Sequence, residues 1–161
     1  MADTLNITLA KALKLKNRLA GKVAKLALTV QTYNSTQQTA EQIDVRAAFA
    51  ERADLVRRLT DLKYAVARAN VPIQRDIFDL AELKAETTLL AALNTKHGTV
   101  LEGYPAAGQV AYVAQFRKAD VDAMTDALEG RIDALQDKLD TFNAQTPVAV
   151  DAQTVAVGEA K

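Results

Sequence analysis

Apolar residues recur at steps of three and four along most of this chain, which is the period of an α-helix with one buried face. Four such segments are present, separated by stretches rich in polar residues, glycine or proline. We expect helices over about residues 8–30, from 41 or 44 to just before Pro72, over about 79–96 and over about 118–143. The polar stretch between the first two helices predicts a linker.

Residues at the expected helix ends support these boundaries. Asn6 or Thr8 is placed to cap the first helix, and Asp79 followed by Glu82 resembles a capping box at the start of the third. Pro147 ends the fourth helix, because proline cannot continue the backbone hydrogen bonding.

The segment between the third and fourth helices breaks the helical period. Gly103, Pro105 and Gly108 fall within six positions and are followed by alternating apolar residues. This pattern predicts a small β-hairpin or an ordered loop near residues 99–116. The fourth helix then carries a strict heptad seam, which is typical of a coiled-coil or bundle element.

These elements predict an all-α fold, namely a bundle of about four long antiparallel amphipathic helices with the insert near 99–116. For a chain of 161 residues, one domain is the simplest expectation, and we place it at residues 1–146. Residues 147–161 show no period, so we expect a tail that is flexible or ordered only by a partner.

Two predicted helices carry charges of one sign at steps of three and four, so that each set lies along one helix face. We name the sets the basic ridge (Lys11, Lys14, Arg18, Lys22 and Lys25) and the acidic ridge (Asp122, Asp126, Glu129, Asp133, Asp137 and Asp140). Neighbouring like charges disfavour a helix. We therefore interpret the two ridges as partners of each other, within one chain or between copies.

The charge balance excludes some classes of partner. The chain has 20 basic and 20 acidic residues, and this neutral total argues against a dedicated nucleic-acid-binding protein. No stretch approaches the ~20 apolar residues of a membrane span, and the first ten residues lack the pattern of a secretory signal. We expect a soluble cytoplasmic protein, or a virion protein if the chain is a phage component.

Residues that would carry catalysis are not visible. The absence of cysteine excludes disulfides, thiolate metal sites and cysteine nucleophiles. The single histidine, His97, stands beside Gly98 at an expected helix end, and no second histidine or HExxH motif accompanies it. The glycines from Gly103 to Gly108 lack the Lys and Ser/Thr of a phosphate-binding loop. We therefore predict no enzyme activity and no catalytic, cofactor-binding or metal-binding residues.

Four blocks of sequence resemble a known family. They read LAKALKLKNRLAGKVAKL from residue 9, LKYAVARAN from 62, DLAELKAETTLLAALN from 79, and VAYVAQFRKADVDAMTDALEGRIDALQDKLDTFNA from 110. Together they resemble the septicolysin-like proteins of bacteria and phages. The resemblance implies a helical, self-associating protein without established catalytic residues. The insert around residues 103–108 and the tail depart from the family pattern.

Two hypotheses of function follow. The leading one is a non-enzymatic structural or assembly protein that works by helix-mediated self-association, as a homo-oligomer or as a component of a phage particle. The alternative is a module that binds a nucleotide-like or anionic ligand in a pocket near residues 99–117. The second rests on Tyr104, Tyr112, Phe116 and Arg117, which place aromatic rings and a guanidinium near flexible glycines.

Overall fold

Helices form most of the structure, a computed structural model that describes residues 3–37, 43–103 and 108–160. In chain order the elements are β1 (Thr4–Thr8), α1 (Leu9–Tyr33), α2 (Val45–Asn70), a 3₁₀ turn (Val71–Ile73), α3 (Gln74–Ala91), β2 (Gly98–Glu102), β3 (Gly108–Tyr112), α4 (Lys118–Gln145), β4 (Pro147–Asp151) and α5 (Ala152–Glu159). The mostly helical architecture is confirmed. The class is not purely α, because β1 pairs with β4 and β2 with β3 in small antiparallel sheets. A single four-helix bundle stays a prediction.

The chain divides into two compact units instead of the single domain expected at residues 1–146. The first unit contains Met1–Pro72 and Asp140–Lys161, and the second contains Ile73–Leu139. Helix α4 contributes residues to both units.

In the first unit, a two-stranded sheet joins the two ends of the chain. Thr4 lies opposite Asp151 and Thr8 opposite Pro147 in the antiparallel register. The N–H of Leu9 donates to the carbonyl oxygen of Thr146 at 2.8 Å. In β4 the alternate side chains Val148 and Val150 are buried, as the period of two in a strand leads one to expect, and Ile7 of β1 is buried with them.

Helices α1 and α2 pack against each other beside this sheet. The last turn of α1 and the first turn of α2 line one cavity, so the two helices run antiparallel. The Oγ1 atom of Thr8 accepts the N–H of Lys11 at 3.2 Å, which confirms the expected cap of α1. The core of the unit is made of Ile7, Leu9, Ala12, Leu15, Leu19, Leu55, Leu59, Leu62, Val66, Val148, Val150 and Val155.

Most of the expected tail at 147–161 forms β4 (Pro147–Asp151) and α5 (Ala152–Glu159), which corrects the expectation of a flexible or partner-ordered segment for these residues. The carboxylate of Asp151 caps α5 by accepting the N–H of Thr154 at 2.9 Å. Gly158 lets α5 approach α1 closely, because a Cβ atom at this position would lie 2.0 Å from Leu15 Cδ1. A helix of eight residues gains its stability from such docking rather than from its own sequence pattern, which is why the pattern missed it.

In the second unit, α3 packs along α4 through two leucines of α3 and two apolar residues of α4. The buried residues of this contact are Leu83, Leu90, Val121 and Leu128. The expected hairpin near residues 99–116 is confirmed, since β2 and β3 pair with Gly98 opposite Tyr112. Pro105 of the insert lies outside the described residues.

The bounds of α3 differ from the expected 79–96. Val71 keeps helical backbone angles (φ −48°, ψ −45°) although a proline follows, so that the helix resumes at Gln74. The expected capping box is wrong, because Asp79 lies inside α3 with its Oδ2 atom 3.6 Å from Arg75 Nε. The helix ends at Ala91.

Candidate functional site

The basic ridge of α1 meets the end of α5 within the same unit. The Lys11 Nζ atom lies 2.8 Å from Glu159 Oε1, and Lys22 Nζ donates to the carbonyl oxygens of Val157 at 2.7 Å and Ala160 at 2.9 Å. The last carbonyls of a helix lack intrahelical donors and carry the negative end of its dipole, so cations suit this position. Two of the five ridge cations therefore hold α5 in place.

The hydrogen bond from Lys11 lowers the pKa of Glu159 below its ordinary value. This ion pair lies on the protein surface, where such pairs add little stability. Pairing of the basic ridge with the acidic ridge stays a prediction.

The acidic ridge lies along an exposed face of α4. All six of its side chains are exposed. Asp122, near the start of the helix, forms an ion pair with Lys118 one turn earlier. Asp126, Glu129 and Asp133 follow at the middle of the helix, where the helix dipole no longer favours negative charge.

A network around Arg58 ties α2 to β4 and α5. The spacing of four between Asp54 and Arg58 predicts their ion pair, whereas sequence reasoning missed the other contacts. The guanidinium donates to Asp54 Oδ2 at 2.6 Å, Asp151 Oδ2 at 3.1 Å and Gln153 Oε1 at 3.1 Å. The same Asp151 oxygen accepts the N–H of Thr154 at 2.9 Å and its hydroxyl at 3.0 Å. The Arg58 side chain is only 16% exposed. No spacing rule finds such a set, because 93 residues separate Arg58 from Asp151.

Electrostatics stabilise the charged forms in this network. Hydrogen bonds from Arg58 and then from Arg57 lower the pKa of Asp54, and the bond to Asp54 raises the pKa of Arg58. A cavity of about 330 Å³ opens beside the network, lined in part by Asp61 and Ala149. Because Arg58 and Asp151 already bind one another, we assign the network to the attachment of the C-terminal segment.

Of the residues expected to line a ligand pocket near 99–117, Tyr112 lies at the end of strand β3. Tyr112 donates its hydroxyl to Glu102 Oε2 at 2.6 Å, and Lys96 pairs with the same carboxylate. The Nζ atom of Lys96 also lies 5.3 Å from the centre of the Tyr112 ring. Phe116 is 53% exposed, whereas Tyr104 lies outside the described residues.

Hydrogen bonding within this cluster shifts the pKa values of its members. Lys96 and then Tyr112 lower the pKa of Glu102, and the bond to Glu102 raises the pKa of Tyr112. The His97 Nδ1 atom accepts the N–H of Ala114 at 3.2 Å, so the imidazole contacts the short segment between β3 and α4. We had expected His97 to mark the end of α3, but the helix already ends at Ala91.

A second, mostly apolar face on α2, continued by Val71 in the 3₁₀ turn that follows, was left out of the sequence prediction. We call it the outer stripe, and it consists of Phe49, Ala53, Val56, Thr60, Tyr64, Ala67 and Val71. All seven residues are exposed, and the four largest are 36–70% exposed. Successive members are three or four residues apart, and at 100° per residue they fall within one narrow band of the helix.

The outer stripe lies on a different side of α2 from the residues that face the core. The buried positions of the helix are Leu55, Leu59, Leu62 and Val66. Two interleaved apolar sets at steps of three and four are visible in residues 45–71, yet we assigned only one of them. The second set would have been found by testing each helix for two apolar faces.

Comparisons with models of protein families, with curated proteins and with solved structures find no match for this chain. Among the described residues, no helix has the length and apolar character needed to cross a membrane. The same part of the chain contains no group of three or more histidine or acidic side chains placed to hold a metal ion.

Proposed function

We propose that this protein is a non-enzymatic structural protein that works by helix-mediated self-association, as a homo-oligomer or within a larger assembly such as a phage particle. The observation that carries the proposal is the outer stripe of α2. A helix that exposes aromatic and aliphatic side chains along its whole length is typical of a surface that another helix covers.

The exposed area of the stripe is large enough to matter energetically. Phe49 is 58% exposed and Tyr64 is 66% exposed. An aromatic side chain buries about 150–250 Å² in a core, so each has roughly 100–150 Å² left to bury. At ~25 cal/mol per Å², covering each ring contributes about 3 kcal/mol before the entropic cost of association is subtracted.

The second unit supports the same proposal. Its core cluster contains four buried apolar side chains on two helices, whereas α3 exposes Phe78 and Leu89 on its opposite side, each at 62%. Two helices and a hairpin bury little apolar surface by themselves. A neighbouring copy that covers α3 would add to this small core.

The resemblance to septicolysin-like proteins agrees with a self-associating helical chain, and no comparison tests it. Placement in a phage particle is the finer form of the proposal. It predicts that the chain is recovered with assembled particles after sedimentation of a lysate. If the chain is recovered entirely in the slowly sedimenting fraction, its placement in a phage particle is contradicted. Self-association is then decided by the molar mass measured by light scattering.

Light scattering after size-exclusion chromatography, at several protein concentrations and two salt concentrations, measures the oligomeric state. We expect a molar mass of at least twice the mass of one chain. Tyr64→Glu should shift the protein toward the monomer, because it places a charge in the stripe. Val113→Glu is the matched control, since Val113 is 85% exposed and lies outside the stripe. A monomer at every concentration and both salt levels would refute the proposal.

A further inference from the structure

We propose that the outer edge of strand β3 pairs with the same edge of a second copy, in antiparallel orientation, so that two hairpins form one four-stranded sheet. This inference rests on the proposed self-association and adds a second contact surface to the outer stripe. We call this surface the β3 edge, and it is the side of Gly108–Tyr112 that faces away from β2. Its partner is an extended strand and not a helix.

The hairpin has no core of its own. None of the five residues in β2 or the five in β3 is buried, and the half-buried ones are Val100, Glu102 and Tyr112. The sheet that contains them has two strands. A two-stranded hairpin is only marginally stable in water unless further strands or a helix cover it. A second hairpin beside β3 would supply two more strands.

The main chain of β3 presents hydrogen-bond donors and acceptors at this edge. Successive residues of a strand point their N–H and C=O groups to opposite sides. The N–H of Ala114, just after β3, donates to His97 Nδ1, just before β2, at 3.2 Å, so even-numbered residues face β2. The N–H groups of Gln109, Ala111 and Val113 therefore face away from β2. Among the described residues, no third strand pairs with them.

The sequence lacks the features that protect an edge strand from pairing with another chain. Native proteins protect exposed edges with charged residues, proline or a bulge. Residues 108–116 read GQVAYVAQF and include no charged residue and no proline. Within them, residues 109–114 combine high β-propensity with no charge, which favours the pairing of identical strands. The β3 edge is therefore suited to a second extended strand.

The other strands are less suited to this contact. Strand β2 ends with Glu102, which pairs with Lys96 and provides the charge that commonly protects an edge. Strand β4 begins with Pro147 and ends with Asp151. Strand β1 is uncharged, but Ile7 belongs to the core of the first unit, so this strand is already held in place. A second copy of β3 fits the β3 edge, because like charges across strands destabilise a pair and β3 has none.

Antiparallel pairing of a strand with its own copy has two-fold symmetry. One residue of β3 then lies opposite itself, with about 5 Å between the two Cα atoms, which suits a disulfide. A residue two positions away lies about 13 Å from its own copy, which is too far for a disulfide. The contact therefore predicts a single maximum of cross-linking along β3.

A cysteine scan tests this prediction, because the chain has no cysteine. We expect the covalent dimer formed under a mild oxidant to be most abundant at one position and to decrease with distance from it. Leu101→Cys is the matched control, since Leu101 is exposed and lies opposite Gln109 on the other strand, and it should form no covalent dimer. The scanned variants are Gln109→Cys, Val110→Cys, Ala111→Cys, Tyr112→Cys and Val113→Cys.

Each outcome of the scan decides between the possible contacts. Equal yields at all positions would overturn the inference, because parallel strands or random collisions give that result. A covalent dimer of Leu101→Cys would assign the contact to β2 and overturn it as well. If the protein oligomerises and no position of β3 cross-links, the inference is wrong while self-association stands. If the protein is monomeric at every concentration, the proposed function fails too.

A pair of proline variants tests the same edge without a disulfide. Ala111→Pro removes an N–H that faces away from β2, and such a position of an edge strand tolerates proline. Leu101→Pro is the control, because Leu101 lies opposite Gln109 and its N–H therefore faces away from β3.

We expect Ala111→Pro to lower the molar mass measured by light scattering by at least about half, since each copy loses one of its contacts. Leu101→Pro should leave the molar mass unchanged. Circular dichroism of both variants establishes that the helices are retained. A molar mass of Ala111→Pro that is no lower than that of Leu101→Pro would overturn the inference.

Discussion

Replacing Gly158 by alanine should destabilise the first unit, although this change stabilises most helices. A Cβ atom at position 158 would lie 2.0 Å from Leu15 Cδ1 and 3.2 Å from Leu15 Cγ. Leu15 is 2% exposed and belongs to the core cluster, so its side chain can move away from a new methyl group only by disturbing buried packing. Overpacking of this kind costs about 1–3 kcal/mol, whereas the better helix propensity of alanine returns about 1 kcal/mol.

We expect a net loss of about 1 kcal/mol from Gly158→Ala, and a fall in Tm of about 2–4 °C for a chain of this length. Thermal unfolding followed by far-ultraviolet circular dichroism measures the shift. Amide hydrogen exchange should show faster exchange in α5. Gly21→Ala is the control, because its Cβ atom meets nothing within 4 Å, and it should raise stability by about 0.5–1 kcal/mol. If Gly158→Ala and Gly21→Ala shift Tm equally and in the same direction, the packing explanation is refuted.

Two further predictions concern the polar contacts. Asp151→Ala should lower the free energy of unfolding in urea by about 1–2 kcal/mol, because it removes the cap of α5. The control Gln153→Ala, on the exposed side, should change that free energy by under about 0.5 kcal/mol. Equal losses for the two variants would contradict the capping role. Because Lys96 and Tyr112 lower the pKa of Glu102, the stabilisation from these contacts is present above the ordinary glutamate pKa and is lost as pH falls through the lowered value. Lys96→Met should raise that pKa in an NMR titration of the carboxyl group, and an unchanged midpoint would show that the pair does not form in solution.

The long helices could be predicted because their signal is local and repeated. Helix α4 was expected from about 118 to 143 and runs over Lys118–Gln145, since a seam of apolar residues at steps of three and four fixes both its period and its ends. The start of α3 was misplaced by five residues. There the local rule that a residue before proline avoids helical angles is overridden at Val71.

The sheet between β1 and β4 could not be predicted by such local rules. Each strand has five residues, and their partners are more than 130 residues apart in the chain, as with Thr8 and Pro147. Val148 and Val150 stand at alternate positions, but Pro147 and Ala149 beside them are not polar, so the sequence shows no clear strand period there. The strand is defined by its pairing with β1. The contacts of Arg58 with Asp151 and Gln153 depend on the same pairing and were missed for the same reason.

The two charged ridges differ in the energetic balance of the helices that carry them. Two cations of the basic ridge, Lys11 and Lys22, contact α5 within the chain. Along the acidic ridge, five like-charged steps at about 0.2–0.5 kcal/mol each disfavour α4 by roughly 1–2.5 kcal/mol, and Gly130 adds about 1 kcal/mol. Gly130→Ala should therefore raise stability in urea unfolding by about 0.5–1 kcal/mol, because alanine favours the helix and a Cβ atom at this position meets nothing within 4 Å. A loss of stability would show that the glycine is needed for packing within the chain.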